Sequence, residues 1–252
     1  MMTQNEIKYL KSLSFKKYRN QHNKFFIEGK RIVDELIQSN YKIDKIIITQ
    51  DFIDKHSEHT LFSSKLDYQI ISDRDYKKIT NTSNSQGIFA LVPMKDSFNI
   101  KKNIKGPTLI LNNISDPGNM GTLLRSAAWY GVNNIFISRG SVDIYNPKVV
   151  RSSMGAHFYI DNLLELDICD IIPILINKNF QVIAATLDGI SYQNISIKND
   201  DWALILGSEA HGIDSKILKL ANRQVSIPQK GKIESLNVAV AGSILLDRFL
   251  TK

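Results

Sequence analysis

Hydrophobic positions along the 252-residue chain recur in two rhythms. Short, nearly unbroken apolar runs alternate with stretches in which apolar residues return every three or four positions. The first pattern reads as buried strands and the second as amphipathic helices. In the first third, residues 25–29 read as a strand running into a helix over 30–39, where Ile32, Val33, Leu36 and Ile37 form one apolar face. Residues 44–49, 68–71 and 88–92 read as further strands. Residues 51–58 and 73–80 read as short helices, each opened by an acidic residue near the cap. The pattern is that of a small α/β domain.

From residue 108 the rhythm becomes regular. Strands are predicted at 108–112, 134–138, 181–187 and 202–206, and another ends at Pro228. Helices are predicted at 119–130, closed by Gly131, at 147–155, opened by Pro147, and over part of 170–177 despite Pro173. Strands apolar on both faces, alternating with helices, predict a parallel sheet covered on both sides. The final helix, 235–250, has almost no polar face, and such a helix is buried all round. A homodimer interface is the preferred explanation; a helix wedged against the sheet of its own chain is the alternative.

Between the two regions, residues 94–106 are polar and basic and end in Gly106-Pro107. The expected organisation is a domain over 1–98, a linker over 99–106 and a second domain over 107–252. Composition is that of an ordinary globular protein, 43% hydrophobic and 23% charged, which argues against disorder and coiled coil. The apolar stretch 238–246 is too short to span a bilayer. The N-terminus lacks the apolar core of a secretory signal, and Cys169 is the one cysteine, so a reducing, cytoplasmic setting with no membrane association is expected. Charge is distributed unevenly. Residues 1–105 hold 19 Lys and Arg against 12 Asp and Glu, and the first 31 residues alone hold 8 against 2. A basic block fits either a nucleic-acid contact or a solvated helix face.

Three clusters carry candidate chemistry. Residues 112–125 follow a strand and open a helix, where Asp116-Pro117-Gly118-Asn119 makes a turn with Asn119 as N-cap and where backbone amides also favour anions. Arg125, beside the small Ser126-Ala127-Ala128, has room to grip a phosphate with both arms of its guanidinium. Residues 205–213 carry Gly207, Glu209 and Gly212 at the end of a buried strand, where open α/β sheets bind ligands, though an ordinary β-to-α turn reads the same way. Residues 226–238 hold a flexible loop, then Ser235 as a cap for the last helix. Asn237 lies inside an apolar helix start and needs hydrogen-bond partners. No phosphate-binding G-x-x-x-x-G-K-[ST] loop is present, and His56 and His59, the one close histidine pair, read as solvated, so no metal is expected.

In this order and spacing the clusters resemble the three motifs of the SpoU (TrmH-like) RNA 2′-O-ribose methyltransferases of the SPOUT superfamily. Asn113, Asp116, Pro117, Asn119, Gly121 and Arg125 match the first; Gly207, Glu209 and Gly212 the second; Ile227, Pro228, Gly231, Ser235, Leu236, Asn237 and Val238 the third. Residues 13–35 resemble the substrate-binding domain such enzymes often carry. Ser126 and Gln229 depart from the residues common in the family, at positions without a catalytic role. The resemblance implies an α/β fold whose C-terminal SPOUT domain holds a parallel sheet and a deep trefoil knot, preceded by a small α/β RNA-binding domain. It implies S-adenosylmethionine as cofactor, bound by Thr186, Leu206, Gly207, Gly212, Ile227 and Leu236, and a homodimer formed through the C-terminal domain.

The implied reaction moves a methyl group to a ribose 2′-hydroxyl of RNA, ribosomal RNA in the first instance. Transfer RNA, or a non-catalytic RNA-binding role in ribosome assembly, are the alternatives. Arg125, Asn119, Glu209, Ser235 and Asn237 are the implied catalytic residues. Deprotonating an arginine at pH 7 costs about 8 kcal/mol, so Arg125 is expected to stay charged, hold the adjacent phosphate and stabilise the developing alkoxide. Lys16, Lys17, Arg19, Lys24, Lys30 and Arg31 are expected to contact RNA phosphates, with Tyr18 and Phe25 as stacking groups.

Overall fold

The computed structural model describes residues 2–80, 82, 85–95, 104–197 and 199–251. In chain order the first elements are α1 (Gln4–Ser12), α2 (Lys16–His22), β1 (Lys24–Glu28), α3 (Lys30–Gln38), β2 (Lys45–Thr49), α4 (Gln50–Lys55), α5 (Thr60–Ser63), β3 (Tyr68–Ile71), α6 (Asp73–Ile79) and β4 (Ile88–Pro93). There follow β5 (Thr108–Leu111), α7 (Pro117–Trp129), β6 (Asn134–Ser138), α8 (Pro147–Ser153), β7 (Asn162–Leu166) and α9 (Ile168–Asn177). The chain closes with β8 (Gln181–Ser191), β9 (Trp202–Leu206), α10 (Ser215–Leu218), β10 (Arg223–Ser226) and α11 (Val238–Leu250). Residues 99–103 of the expected linker, and its boundary with the first domain, lie outside the described residues. No described helix is long and apolar enough to cross a membrane.

The elements form two compact units. The first joins the described residues up to Lys95 with Asp143–Phe158; the second joins those from Ile104 to Val142 with those from Tyr159 onward. The first unit is therefore discontinuous in sequence. Its sheet has the order β1-β4-β2-β3, with β4 antiparallel to β1 and β2, and β2 parallel to β3. Ile7 and Leu10 of α1, Leu13, Phe26, Ile47, Tyr76 and Phe89 share one core. The returning segment packs instead against Phe25, the neighbour of Phe26 along β1. Phe25 lies 4.6 Å from the ring of Tyr145 and 5.9 Å from that of His157, and buried Arg19 pairs with Asp143 while donating to the Leu13 carbonyl at 2.8 Å.

The second unit is built on a six-stranded, wholly parallel sheet of order β10-β8-β9-β5-β6-β7. This is the parallel α/β sheet expected from the apolar strands. Parallel strands place all their C-terminal ends on one edge, so the loops after β5, β8, β9 and β10 gather there. The last helix differs from expectation in extent and surroundings. It begins at Val238, and its Gly242 lies so close to α7 and β9 that a Cβ would fall 2.6 Å from Leu123 Cδ2 and 2.7 Å from Leu206 Cδ1. Ser126 and Ser243 hydroxyls meet at 2.8 Å, and the Tyr130 hydroxyl donates to Asp247 at 2.8 Å. Val238, Ala239, Leu245, Leu246 and Phe249 are thus buried within the chain, while Val240 is 48% exposed.

Candidate functional site

Elementary capping chemistry sets the positions of the first motif. Asp116, with Pro117 at the first helical position, caps α7 by accepting from the Asn119 amide at 2.7 Å. Asn119 is therefore not the cap, and its side chain is released for another partner. The strand end before it is tied down at several points. The Asn112 amide donates to the Leu206 carbonyl at 2.8 Å, the Asn113 amide to Ser138 Oγ at 2.8 Å, and the Ile114 amide to Ser141 Oγ at 3.1 Å. Asn113 takes the left-handed conformation, φ +57°.

A single carboxylate oxygen brings the three motifs together. Glu209 Oε1 accepts from Asn119 Nδ2 at 2.8 Å, from Asn237 Nδ2 at 2.8 Å and from the Val238 amide at 3.3 Å. Asn237 Nδ2 also donates to Asn119 Oδ1 at 3.0 Å. Hydrogen bonds to a charged acceptor are the stronger kind, so both amides are held in one orientation. The Asn237 position has a structural reason the sequence did not disclose: it is the N-cap of α11, its Oδ1 accepting from Ala239 and Val240 amides at 3.0 and 3.3 Å. Ser235, expected to be that cap, lies in the exposed loop before the helix and borders a cavity instead.

That cavity, about 640 Å³, opens at the C-terminal edge of the sheet. Thr186, Leu206, Gly207, Gly212, Ile227 and Leu236, the six expected cofactor residues, all line it, and Glu209 and Ser235 stand on its wall. Its size is in the range of small-molecule sites. Gly207 is obligatory there: a Cβ would fall 2.3 Å from the Gly212 carbonyl carbon, because the loop folds back with the Gly212 amide donating to Ser208 at 2.8 Å. A second, polar recess of about 90 Å³ is lined by Asn113, Ser115, Asp116, Asn119 and Glu209. Arg125 lines neither. It is exposed on α7 and makes no hydrogen bond or ion pair with the described residues.

The basic set divides. Lys16, Lys17 and Arg31 are exposed. Lys24 pairs with Asp44 at 2.8 Å, which raises its pKa, and Lys30 pairs with Asp34 at 3.0 Å. Two expectations are corrected. Arg19 is buried in the ion pair with Asp143 and cannot reach a phosphate. Phe25 is wholly buried against Tyr145 and cannot stack on a base. His59 is also not solvated: it is buried, its Nδ1 accepts from the Leu61 amide at 3.1 Å, and its Nε2 lies 2.6 Å from Asp34, with burial pushing its pKa down. No metal-binding cluster occurs among the described residues.

One positioning residue was missed. Asn112 is buried, and its Oδ1 accepts from the Asp214 amide at 2.9 Å, so it ties the start of the first motif to the end of the second. The signal was present: a polar side chain directly after three apolar strand residues, Leu109, Ile110 and Leu111, has to find a partner.

Similar proteins give this arrangement a class. A TrmH-family protein from Porphyromonas gingivalis superposes with a TM-score of 0.85 at 30% identity, covering 99% of this chain and 98% of that one. An AdoMet-bound rRNA methyltransferase from Sinorhizobium meliloti superposes at 0.82 and 25% identity, over 98% and 95%. The fold is that of these RNA methyltransferases. The chain belongs to the SpoU rRNA Methylase family, whose pattern matches residues 106–247. Residues 4–90 match the MRM3-like substrate binding domain. A Bacillus subtilis relative, the 23S rRNA (guanosine(2553)-2′-O)-methyltransferase RlmP, is 30% identical over 96% of this chain and 94% of its own length.

Proposed function

We propose that this chain transfers a methyl group from S-adenosylmethionine to a ribose 2′-hydroxyl of ribosomal RNA. The observation that carries the reading is the convergence of Asn119, Asn237 and Val238 on one oxygen of Glu209, at the wall of the cavity. The residues present suit the cofactor. The close backbone approach of Gly207 to Gly212 shapes one wall of the cavity, and Leu206, Ile227 and Leu236 offer apolar walls to an adenine ring. When bound, S-adenosylmethionine supplies a methyl group already activated on a positively charged sulfur. The chain's own residues position the acceptor. Glu209 locks the two amides, Asn119 and Ser235 orient the ribose, and Arg125 stays protonated, holds the neighbouring phosphate and stabilises charge developing on the 2′-oxygen.

The reading includes a trefoil knot and a homodimer. Support for the knot is that β10 lies at the sheet edge while the loop after it lines the cavity and returns to α11, which packs on α7. Support for the dimer is the apolar surface left on the same two helices, Trp129 at 84% exposure with Val240. Arg125 stands on that helix, apart from the cavity of its own chain. An N-terminal domain over 1–98 gripping RNA and a cytoplasmic setting complete the proposal. The first substrate to test is 23S rRNA, the target named for the Bacillus relative. Incubating the chain with S-adenosylmethionine and that RNA should leave one alkali-resistant 2′-O-methyl linkage. Arg125→Lys should lower turnover about 100-fold; near-normal turnover would refute the two-armed grip.

A further inference from the structure

Between two buried anchors, residues 15–18 form an outward-facing group. Leu13 is completely buried, and Arg19 is held by the Leu13 carbonyl and Asp143. Phe15 is 62% exposed and Tyr18 37%, with exposed Lys16 and Lys17 between them. Phe15 is the N-cap of α2 and the Tyr18 amide donates to its carbonyl at 3.1 Å, so both exposed rings belong to the first turn of this helix. The Lys17 ammonium lies 5.8 Å from the centre of the Tyr18 ring.

A seven-residue helix has no stability of its own. Here the buried arginine holds it in place, so the aromatic pair is presented in an ordered setting before any ligand arrives, which lowers the cost of binding. Two partners offer chemistry for such a surface. A protein interface core is depleted in lysine, whereas single-stranded RNA presents base faces to aromatic rings and phosphates to lysines at once. The interleaving of cations with rings favours the second.

We propose that Phe15 and Tyr18 stack on an unpaired nucleotide of the substrate RNA while Lys16 and Lys17 contact its flanking phosphates. The proposal rests on the RNA reading above and adds that this surface selects unpaired over duplex RNA. It is tested on the full-length chain by fluorescence anisotropy, with a labelled RNA hairpin carrying an unpaired loop and a blunt RNA duplex as probes, across a salt series. Phe15→Leu and Tyr18→Leu should each weaken hairpin binding about 10-fold, leaving the salt slope and duplex binding unchanged. Lys16→Ala and Lys17→Ala should instead each reduce the log–log salt slope by about 0.7 to 0.9. Phe15→Trp should restore binding, and a urea midpoint unchanged from wild type should accompany every variant. Hairpin affinity unchanged in both leucine variants, or equal losses on hairpin and duplex, would overturn the stacking role alone. A wild-type chain that binds neither RNA would overturn the RNA reading and this one with it.

Discussion

Glu209 Oε1 receives two side-chain amides and one backbone amide, yet Glu209 and Asn237 are exposed. A surface network of this kind contributes little to folding but fixes geometry. Glu209→Ala should therefore lower methyl transfer about 100-fold while moving the unfolding free energy by under about 0.5 kcal/mol, as read by turnover and urea titration. Asn112 reverses that balance. It is buried, and Asn112→Ala leaves the Asp214 amide without its acceptor, a loss of about 1–3 kcal/mol that should shift the urea midpoint downward. At this scale the motif positions were legible in the sequence, because glycines, carboxylates and amides recur at set spacings. The allocation of partners was not. Arg19 and Lys17 are the same type of residue to a sequence reader, and only the distant Asp143 makes one of them interior.

Among the elements, the parallel strands β5, β6 and β9 were the most legible, since burial on both faces leaves a nearly pure apolar run. Helix starts were the least. Asp116 and Asn119 are both good caps, as are Ser235 and Asn237, each pair separated by two or three residues. Which one caps is decided by Glu209, which claims the Asn119 side chain, and by Leu123 and Leu206, which set where α11 can begin to pack. α1 and α2 escaped notice because so few of their residues are apolar; α1 is fixed by the Thr3–Glu6 capping box, and α2 by a buried ion pair. The tight fold-back after β9 makes its own prediction. Gly207→Ala drives a methyl group into the Gly212 backbone at a cost of about 1–3 kcal/mol. S-adenosylmethionine affinity, measured by calorimetry, should fall roughly 10-fold or more. Gly231→Ala, whose Cβ meets no atom of the chain within 4 Å, should leave the urea midpoint unaltered.

At the scale of the molecule, the first unit depends on a segment that lies far along the chain. His157 sits in that segment, wholly buried, its Nε2 donating to the Ile144 carbonyl at 2.8 Å, and burial pushes its pKa down to about 4. The unfolded chain takes up the proton at about pH 6.5, so stability is full above that pH and is lost as pH falls toward 4. At pH 5 the loss is about 2 kcal/mol, and His157→Gln should flatten the difference between urea titrations at pH 7.5 and pH 5. Cutting the chain at the apparent boundary is equally informative. A fragment of residues 107–252 keeps Tyr145, Val149, Val150 and Phe158 but loses Phe25 and the rest of the core they fill. It should aggregate beyond a dimer on size-exclusion chromatography, where the full chain does not. The same discontinuity orders events during synthesis. When Lys95 leaves the ribosome, Arg19 still awaits Asp143, and at roughly 5–20 residues per second the missing piece follows only several seconds later. The nascent first unit spends that interval with its cationic anchor unpaired and Phe25 uncovered, so it does not mature alone: it is finished only after β5, α7 and β6 have been made.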